Sequence, residues 1–130
     1  MKKHLAIFSG NNAELILNGQ KTIETRFSKS KIVPFGGVSA GDIVYVKPAG
    51  GDIIGQFRVK KVISYDGLDY EDLINIEKIY NSQILSDQKY WQQKKDSKYG
   101  TLIFIEACTR FITSPIKVPK RDQRGWMVLE

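Results

Sequence analysis

Runs of apolar residues, separated by turn-forming residues, extend along the whole chain and predict five or six β-strands. The strongest run is Thr101–Phe111, in which β-branched and aromatic residues dominate. Gly55 lies inside the longest run and is typical of a bulge or a sharp bend, which a small barrel requires. The other strand patterns span Leu5–Phe8, Thr22–Phe27, Asp42–Lys47, Asp52–Ser64 and Gly125–Leu129.

Apolar residues at helical spacing predict two helices. Ala13–Leu17 forms a short helix that ends at Asn18-Gly19, a typical C-cap. Asp69 is a typical N-cap, and Asp72 three residues later resembles a capping box. The helix that follows carries its apolar residues at Tyr70, Leu73, Ile76, Ile79 and Tyr80.

A third segment, Ser82–Ser97, is polar and predicted to be helical in part, with Tyr90 and Trp91 as its large apolar anchors. The helices do not alternate with the strands regularly, which argues against a doubly wound parallel sheet. The order of the elements instead predicts a single α+β domain over residues 1–130. We expect a small, mixed, twisted β-barrel of five or six strands with two or three flanking helices.

Composition is typical of an ordinary globular protein. The 130 residues fit one domain with a hydrophobic core, and 42% hydrophobic against 26% charged residues argues against global disorder. The formal net charge is +6. A surplus of cations favours a polyanionic partner such as RNA, and the alternative is a basic surface without a binding role.

Cys108 is the only cysteine and His4 the only histidine. An internal disulfide and a structural zinc site are therefore excluded, and a reducing, cytoplasmic environment is expected. Cys108 lies in the strongest apolar run and is predicted to be a small buried hydrophobic residue. The N-terminal apolar stretch is too short for a signal peptide or a membrane span. Phosphate-loop and dinucleotide motifs are absent, and we expect no metal and no cofactor.

The segment Gly19–Arg26 contains the strongest candidate site. In a strand, residues i and i+2 project from the same face, so Glu24 and Arg26 are predicted to lie side by side. Charged side chains on a core strand are costly unless they are paired or functional. Lys21 adds a third charge beside the end of the first helix. The segment predicts either a polar cleft or a salt bridge between Glu24 and Arg26 that only fixes the strand.

In the cleft interpretation, each charge has a chemical role. Arg26 binds a phosphate, a carboxylate or a base edge through its planar fork of donors. Lys21 contacts a phosphate or a carbonyl, or acts as a base with a lowered pKa. Glu24 orients Arg26, accepts from an exocyclic amine, or moves protons.

Other basic and aromatic residues extend this candidate site. The loop Ser28–Gly41 follows it directly and is a natural lid. Cations beside an aromatic ring, as near Trp126, are typical of RNA-binding surfaces, although Trp126 itself is predicted to lie in the core. Tyr99 either stacks on a base or packs at a loop corner. The cations of these segments are Lys29, Lys31, Lys120, Arg121 and Arg124.

A helix, then Gly-x-Lys-Thr-Ile-Glu-x-Arg, then a loop and Gly-Asp-x-Val form a pattern that resembles the ASCH domain, a member of the PUA-like superfamily. Here the pattern stands at Gly19–Arg26 and at Gly41–Val44. The resemblance covers Leu5–Phe111. It implies a small twisted β-barrel with flanking helices and a cleft lined by the three charged side chains of the first motif.

The resemblance also implies a function. Family members are generally regarded as RNA-binding, some similar proteins are amidohydrolases that act on acylated cytidine, and others are linked to ribonuclease activity. The amidohydrolases use a Lys, a Thr and a Glu. Lys21 matches that Lys, whereas Glu24 stands at the strand position of the Thr.

We therefore expect a protein that binds RNA or a nucleotide-like ligand through a basic cleft. A small metal-independent hydrolase with Lys21 and Glu24 as catalytic residues is the alternative, acting on an acylated nucleoside or on RNA. A protein-interaction domain for acidic partners is a third possibility. The residues expected to bind the ligand are Lys21, Glu24, Arg26, Lys29, Tyr99, Lys120, Arg121 and Arg124.

Overall fold

A computed structural model describes residues 1–114 and 124–129. Every predicted strand and helix is found in this part of the chain, and the strand ends differ from the prediction by at most three residues, as at Gly55. The elements are β1 (Lys3–Phe8), α1 (Asn12–Leu17), β2 (Ile23–Ser28), β3 (Ile43–Pro48), β4 (Gly55–Asp66), α2 (Tyr70–Ile84), α3 (Gln88–Gln93), β5 (Tyr99–Arg110) and β6 (Trp126–Val128).

The six strands form one mixed sheet in the order β2-β5-β4-β3-β1-β6. β1 and β3 are parallel, and the other neighbouring pairs are antiparallel. The long β4–β5 ribbon carries two register shifts, between Gln56 and Arg58 and between Val59 and Lys61. Such irregularities bend and twist a ribbon. The sheet curls into a half-barrel with three helices beside it, which confirms the predicted α+β class.

Apolar side chains are buried on both faces of the curled sheet. Phe57 and Ile103 lie in the cluster inside the curl, together with Trp126 from the last strand and Ile16 from α1. A second cluster, which includes Trp91, lies between the β2–β5 side and helices α2 and α3. The curl therefore has a packed interior and a separate helical layer behind one edge.

Local capping fixes the start of α2 as the sequence predicts. The Asp69 side chain accepts from the Asp72 backbone N–H at 2.8 Å, and the Asp72 side chain accepts from the Asp69 N–H at 3.1 Å. Together they form a capping box. Leu73 and Ile76 are buried as predicted, whereas Ile79 faces solvent.

The prediction that Cys108 is buried is wrong, because this residue is exposed to solvent. β5 extends past the edge of the core, and Ala107–Arg110 lie on the exposed end of that strand. The continuous apolar pattern of the strand does not reveal where the neighbouring layer stops. The Cys108 thiol contacts the Ile16 carbonyl oxygen at 3.4 Å.

Gly55 marks the place where α1 and the end of β5 approach the first residue of β4. A methyl group at this position would lie 2.5 Å from the Thr109 carbonyl oxygen and 2.8 Å from the Leu17 side chain. Neither neighbour is free to move far, because one is backbone and the other is packed against the core. The absence of a side chain is therefore a packing requirement at Gly55.

Replacing Gly55 with Ala is expected to lower the free energy of unfolding by about 1–3 kcal/mol through overpacking. Gly51→Ala is the matched control, because its added methyl group would have only ordinary contacts of 3.6–3.7 Å with Pro48. Urea unfolding monitored by circular dichroism measures both. Equal stability of the two variants would contradict the packing requirement.

Candidate functional site

A cleft of about 630 Å³ opens between β2 at one edge of the sheet and the β1–β6 strands at the other. The loop before β3 and the segment from α2 to α3 complete its walls. The charged lining residues are Lys21, Glu24, Arg26, Lys94 and Arg124, and the large apolar ones are Ile7, Phe8, Phe27, Ile32, Val33, Pro34, Phe35 and Trp126. The cleft thus combines charged groups on β2 and at its rim with an apolar and aromatic wall.

The turn after α1 places Lys21 at the floor of the cleft. Backbone N–H groups of Gln20 and Lys21 both donate to the Leu15 carbonyl oxygen, and Gly19 has a φ of 85°, which a glycine adopts without strain. This chain reversal turns Lys21 inward, so that only 2% of the residue is exposed. Its ammonium group donates to the Ile84 carbonyl oxygen and lies 3.5 Å from Glu24 Oε1.

Burial lowers the pKa of the Lys21 amine, since an ammonium ion is poorly solvated at the floor of the cleft. The Glu24 carboxylate opposes this effect, and the Arg26 guanidinium adds to it. The result is an amine that releases its proton more easily than an ordinary lysine.

Glu24 and Arg26 lie side by side on β2, with Arg26 Nε donating to Glu24 Oε2 at 2.9 Å. Arg26 also reaches across the curl. Its Nη2 donates to the Ile7 carbonyl oxygen at 2.9 Å and its Nη1 to the Gly125 carbonyl oxygen at 3.2 Å. Its guanidinium therefore joins the two edges of the sheet by hydrogen bonds.

Aromatic rings support the same guanidinium. It lies 5.1 Å from the centroid of the Phe8 ring and 5.2 Å from that of Trp126, within range for cation–π attraction. About a fifth of the Arg26 side chain, 21%, remains exposed towards the cleft. The salt bridge and the cleft, which the sequence offered as alternatives, are both present.

The structure brings only some of the other predicted site residues to the cleft. Arg124 lines it and is exposed at its rim. Lys29 is exposed but is not part of the lining. Tyr99 lies behind the cleft wall, where its ring packs edge-on against Phe35 at 5.3 Å. The remaining two, Lys120 and Arg121, lie outside the described residues.

Sequence reasoning missed a hydroxyl pair in the cleft wall. Thr25 Oγ1 and Tyr90 OH are 2.5 Å apart, although the two residues are separated by 65 positions in the chain. Burial, with the nearby Glu24 charge, raises the pKa of Tyr90, so its phenol stays protonated. No local pattern relates a strand threonine to a tyrosine of a distant short helix.

A buried hydrogen-bond chain behind the cleft was also missed. Trp126 Nε1 donates to His4 Nδ1 at 3.1 Å, and His4 Nε2 lies 2.8 Å from Asp42 Oδ2. Asp42 also accepts from the backbone N–H groups of Lys2 and Ser39, each at 3.0 Å. Burial alone would raise the pKa of Asp42, but these three donors together lower it. In the sequence, the single histidine was the only residue that could have pointed to this hydrogen-bond chain.

No group of three or more His, Cys, Asp or Glu side chains is placed to hold a metal ion within residues 1–114 and 124–129. Over the same residues, no helix is long and apolar enough to cross a membrane.

Comparison with known proteins gives a family and a fold. The ASCH domain model matches residues 10–106. A crystal structure of ASCH from Zymomonas mobilis is similar with a TM-score of 0.66 and 12% identity, over 84% of this chain and 70% of that one. A mutant of the same protein reaches 0.72 at 10% identity, over 99% and 89%.

The crystal structure of hypothetical protein PH0355 has a TM-score of 0.56 and 23% identity, over 82% of this chain and 98% of that one. These likenesses show a shared fold. No curated protein matches the chain significantly.

Arg26→Ala is expected to lower the free energy of unfolding by about 2–4 kcal/mol, because the buried Glu24 Oε2 and the Ile7 carbonyl oxygen both lose the donor that Arg26 supplies. The matched control is Arg58→Ala. Arg58 also bonds a carboxylate, Glu106 at 2.8 Å, but half of its side chain is in solvent, so its loss should cost less than about 1 kcal/mol. Similar losses in chemical denaturation would show that Arg26 does not hold the sheet edges together.

Asp42→Asn is expected to lower the free energy of unfolding near neutral pH by about 1–3 kcal/mol. The pKa of Asp42 is lower in the folded chain than its ordinary value of 3.8. Its stabilisation is therefore complete above that value and is lost as the pH falls through the folded pKa. The difference from wild type should shrink below about pH 4. Asp52→Asn is the matched control, because it makes the same change at an exposed aspartate.

Proposed function

The chain belongs to the ASCH domain family, and on that premise we propose that its cleft binds a nucleotide unit of RNA or a nucleotide-like ligand. The ASCH domain has a PUA-like fold, which is associated with RNA binding. A fold alone does not identify a ligand. The proposal therefore depends on the chemistry of the cleft.

The balance of charge and aromatic surface in the cleft carries the proposal. Among the residues that the structure describes, four cationic side chains line it against one carboxylate, that of Glu24. Lys94 and Arg124 stand at the rim and suit phosphate oxygens, whereas Phe35 and the exposed Ile32 offer apolar surface to a base. Phosphate contacts supply affinity without sequence information, and the inner polar groups supply selectivity.

The size of the cleft limits what it accepts. Its volume of about 630 Å³ falls in the range of small-molecule sites, about 300–1,000 Å³. A single nucleotide fits such a space, and a duplex does not. RNA would therefore enter as a single strand with one nucleotide inserted.

The joint variant Lys94→Ala with Arg124→Ala is expected to weaken binding of an oligouridylate by about tenfold and to reduce its salt dependence. Fluorescence anisotropy over rising salt measures both quantities. The control removes the same charge from two exposed lysines outside the cleft, Lys60→Ala with Lys78→Ala. An equal loss in the control would indicate a general charge effect, and no binding by the wild type would refute the proposal.

A second candidate function is favoured by one observation, the lowered pKa of Lys21 beside the cleft. In hydrolysis of an acylated nucleoside, the neutral Lys21 amine would take a proton from water as the water oxygen bonds to the carbonyl carbon. It would return that proton to the exocyclic nitrogen as the amide bond breaks. Glu24, 3.5 Å away, would stabilise the transient ammonium.

A turnover assay on acylated cytidine in the presence of a chelator tests this second function. Lys21→Met should abolish turnover, and wild-type turnover should rise with pH as the Lys21 amine loses its proton. Lys78→Met is the control, since it removes the charge of an exposed lysine that does not line the cleft. Activity that persists in Lys21→Met, with native circular dichroism, would refute a catalytic role.

A further inference from the structure

The buried hydrogen-bond chain behind the cleft accepts only one protonation state of His4. An indole nitrogen is a donor only, so His4 Nδ1, which receives the Trp126 N–H, must be the unprotonated acceptor. The proton of the neutral ring therefore lies on Nε2 and is donated to Asp42. His4 is 0% exposed, so water cannot replace either partner.

Few charges of the described residues surround this chain. Asp42, which precedes β3, is the titratable group that faces the imidazole. The ammonium group of Lys2 is turned away and donates to the exposed Gly37 carbonyl oxygen. Arg26 lies beyond the indole of Trp126, 5.2 Å from its ring centroid. Among the described residues, Asp42 is therefore the charged group in direct contact with the His4 ring.

A second proton on His4 would place an N–H at Nδ1, directly against the N–H of Trp126. The indole would then lose its acceptor inside the core, where an unpaired donor is costly. Trp126 is also part of the cleft wall and supports the Arg26 guanidinium. The adjacent Gly125 carbonyl accepts from Arg26, so movement of this segment disturbs the floor of the cleft.

We propose that His4 is a positioning residue whose protonation weakens ligand binding in the cleft by displacing Trp126. This inference rests on the proposed binding function for its ligand, and on the buried chain for its mechanism.

The pH dependence of ligand binding that we expect is opposite in direction to the one that charge attraction alone would produce. Protonation adds a positive charge to the protein, which by itself strengthens binding of a polyanion at acidic pH. Displacement of Trp126 predicts weaker binding at acidic pH. The direction of the pH effect therefore separates the two explanations.

The first experiment needs no ligand. The indole N–H of Trp126 is followed by nuclear magnetic resonance from about pH 8 to about pH 5, and the signal is assigned as the one that Trp126→Phe removes. It should shift in a single titration, while the indole of Trp91, bonded to Asn81, serves as an internal control. An unchanged Trp126 signal would overturn the inference.

The second experiment measures binding of an oligouridylate at about pH 8 and about pH 5.5, because uracil and phosphodiester groups do not titrate between these values. For the wild type, Kd should be about tenfold higher at the lower pH. His4→Asn offers an oxygen near the Nδ1 position to Trp126 but cannot titrate, so the ratio of its two Kd values should approach one. His4→Gln places its amide towards Asp42 without an Nδ1 acceptor, and it should bind more weakly than wild type at the higher pH.

Trp126→Phe provides the same test without altering His4, because a phenyl ring has no N–H to lose its acceptor. The ratio of its Kd values should also approach one. Tighter wild-type binding at the lower pH would overturn the inference. If the Trp126 signal titrates but the wild type binds no oligouridylate at either pH, the proposed function fails while the coupling of His4 to Trp126 stands.

Discussion

Closure of the curled sheet depends on one guanidinium. Arg26 leaves β2 at one edge, bonds the carbonyl oxygens of Ile7 and Gly125 at the other, and balances the buried Glu24 carboxylate on the way. Lys21 lies on the far side of the same carboxylate, so the charges alternate along the cleft floor. Each member of this row lowers the cost of burying its neighbour. The groups that hold the sheet edges together are thus also the groups that a ligand would meet.

Local patterns in the sequence predicted the parts of the fold that depend on neighbours in the chain. Alternation along β2 placed Glu24 and Arg26 on one face, and the cap at Asp69 placed the start of α2. The contact between Trp126 and His4 joins residues 122 positions apart, and nothing in either segment predicts it. Cys108 was misjudged for a related reason, since burial of a strand residue depends on what covers it.

The sequence predicted which charged residues lie together in the candidate site, but not which residues form the walls around them. The positions of Glu24 and Arg26 follow from strand geometry, and Lys21 follows from the end of the first helix, so one short motif contains all three charges. Tyr99 was placed in the site because it begins a strand, but the loop residue Phe35 lies between it and the cleft. Trp126 was assigned to the core, and it is buried there, but one side of its ring also forms part of the cleft wall. A residue at the rim of a curled sheet can belong both to the core and to the wall of a cleft. A sequence pattern assigns each position as either buried or exposed, so it does not predict this double role.

The pairing of β6 with β1 has a consequence for synthesis of the protein. These strands are adjacent in the sheet, but more than a hundred residues separate them along the chain, so β1 is synthesised well before β6. The nascent chain already contains β1 to β5 before Trp126 emerges from the ribosome, so the part of the cleft wall that Trp126 forms is assembled after these five strands. Contacts between such distant segments form slowly, because a long loop must close first. An occupied cleft would favour the docked state of this last strand by mass action, and so protect the newly made chain from quality-control proteases.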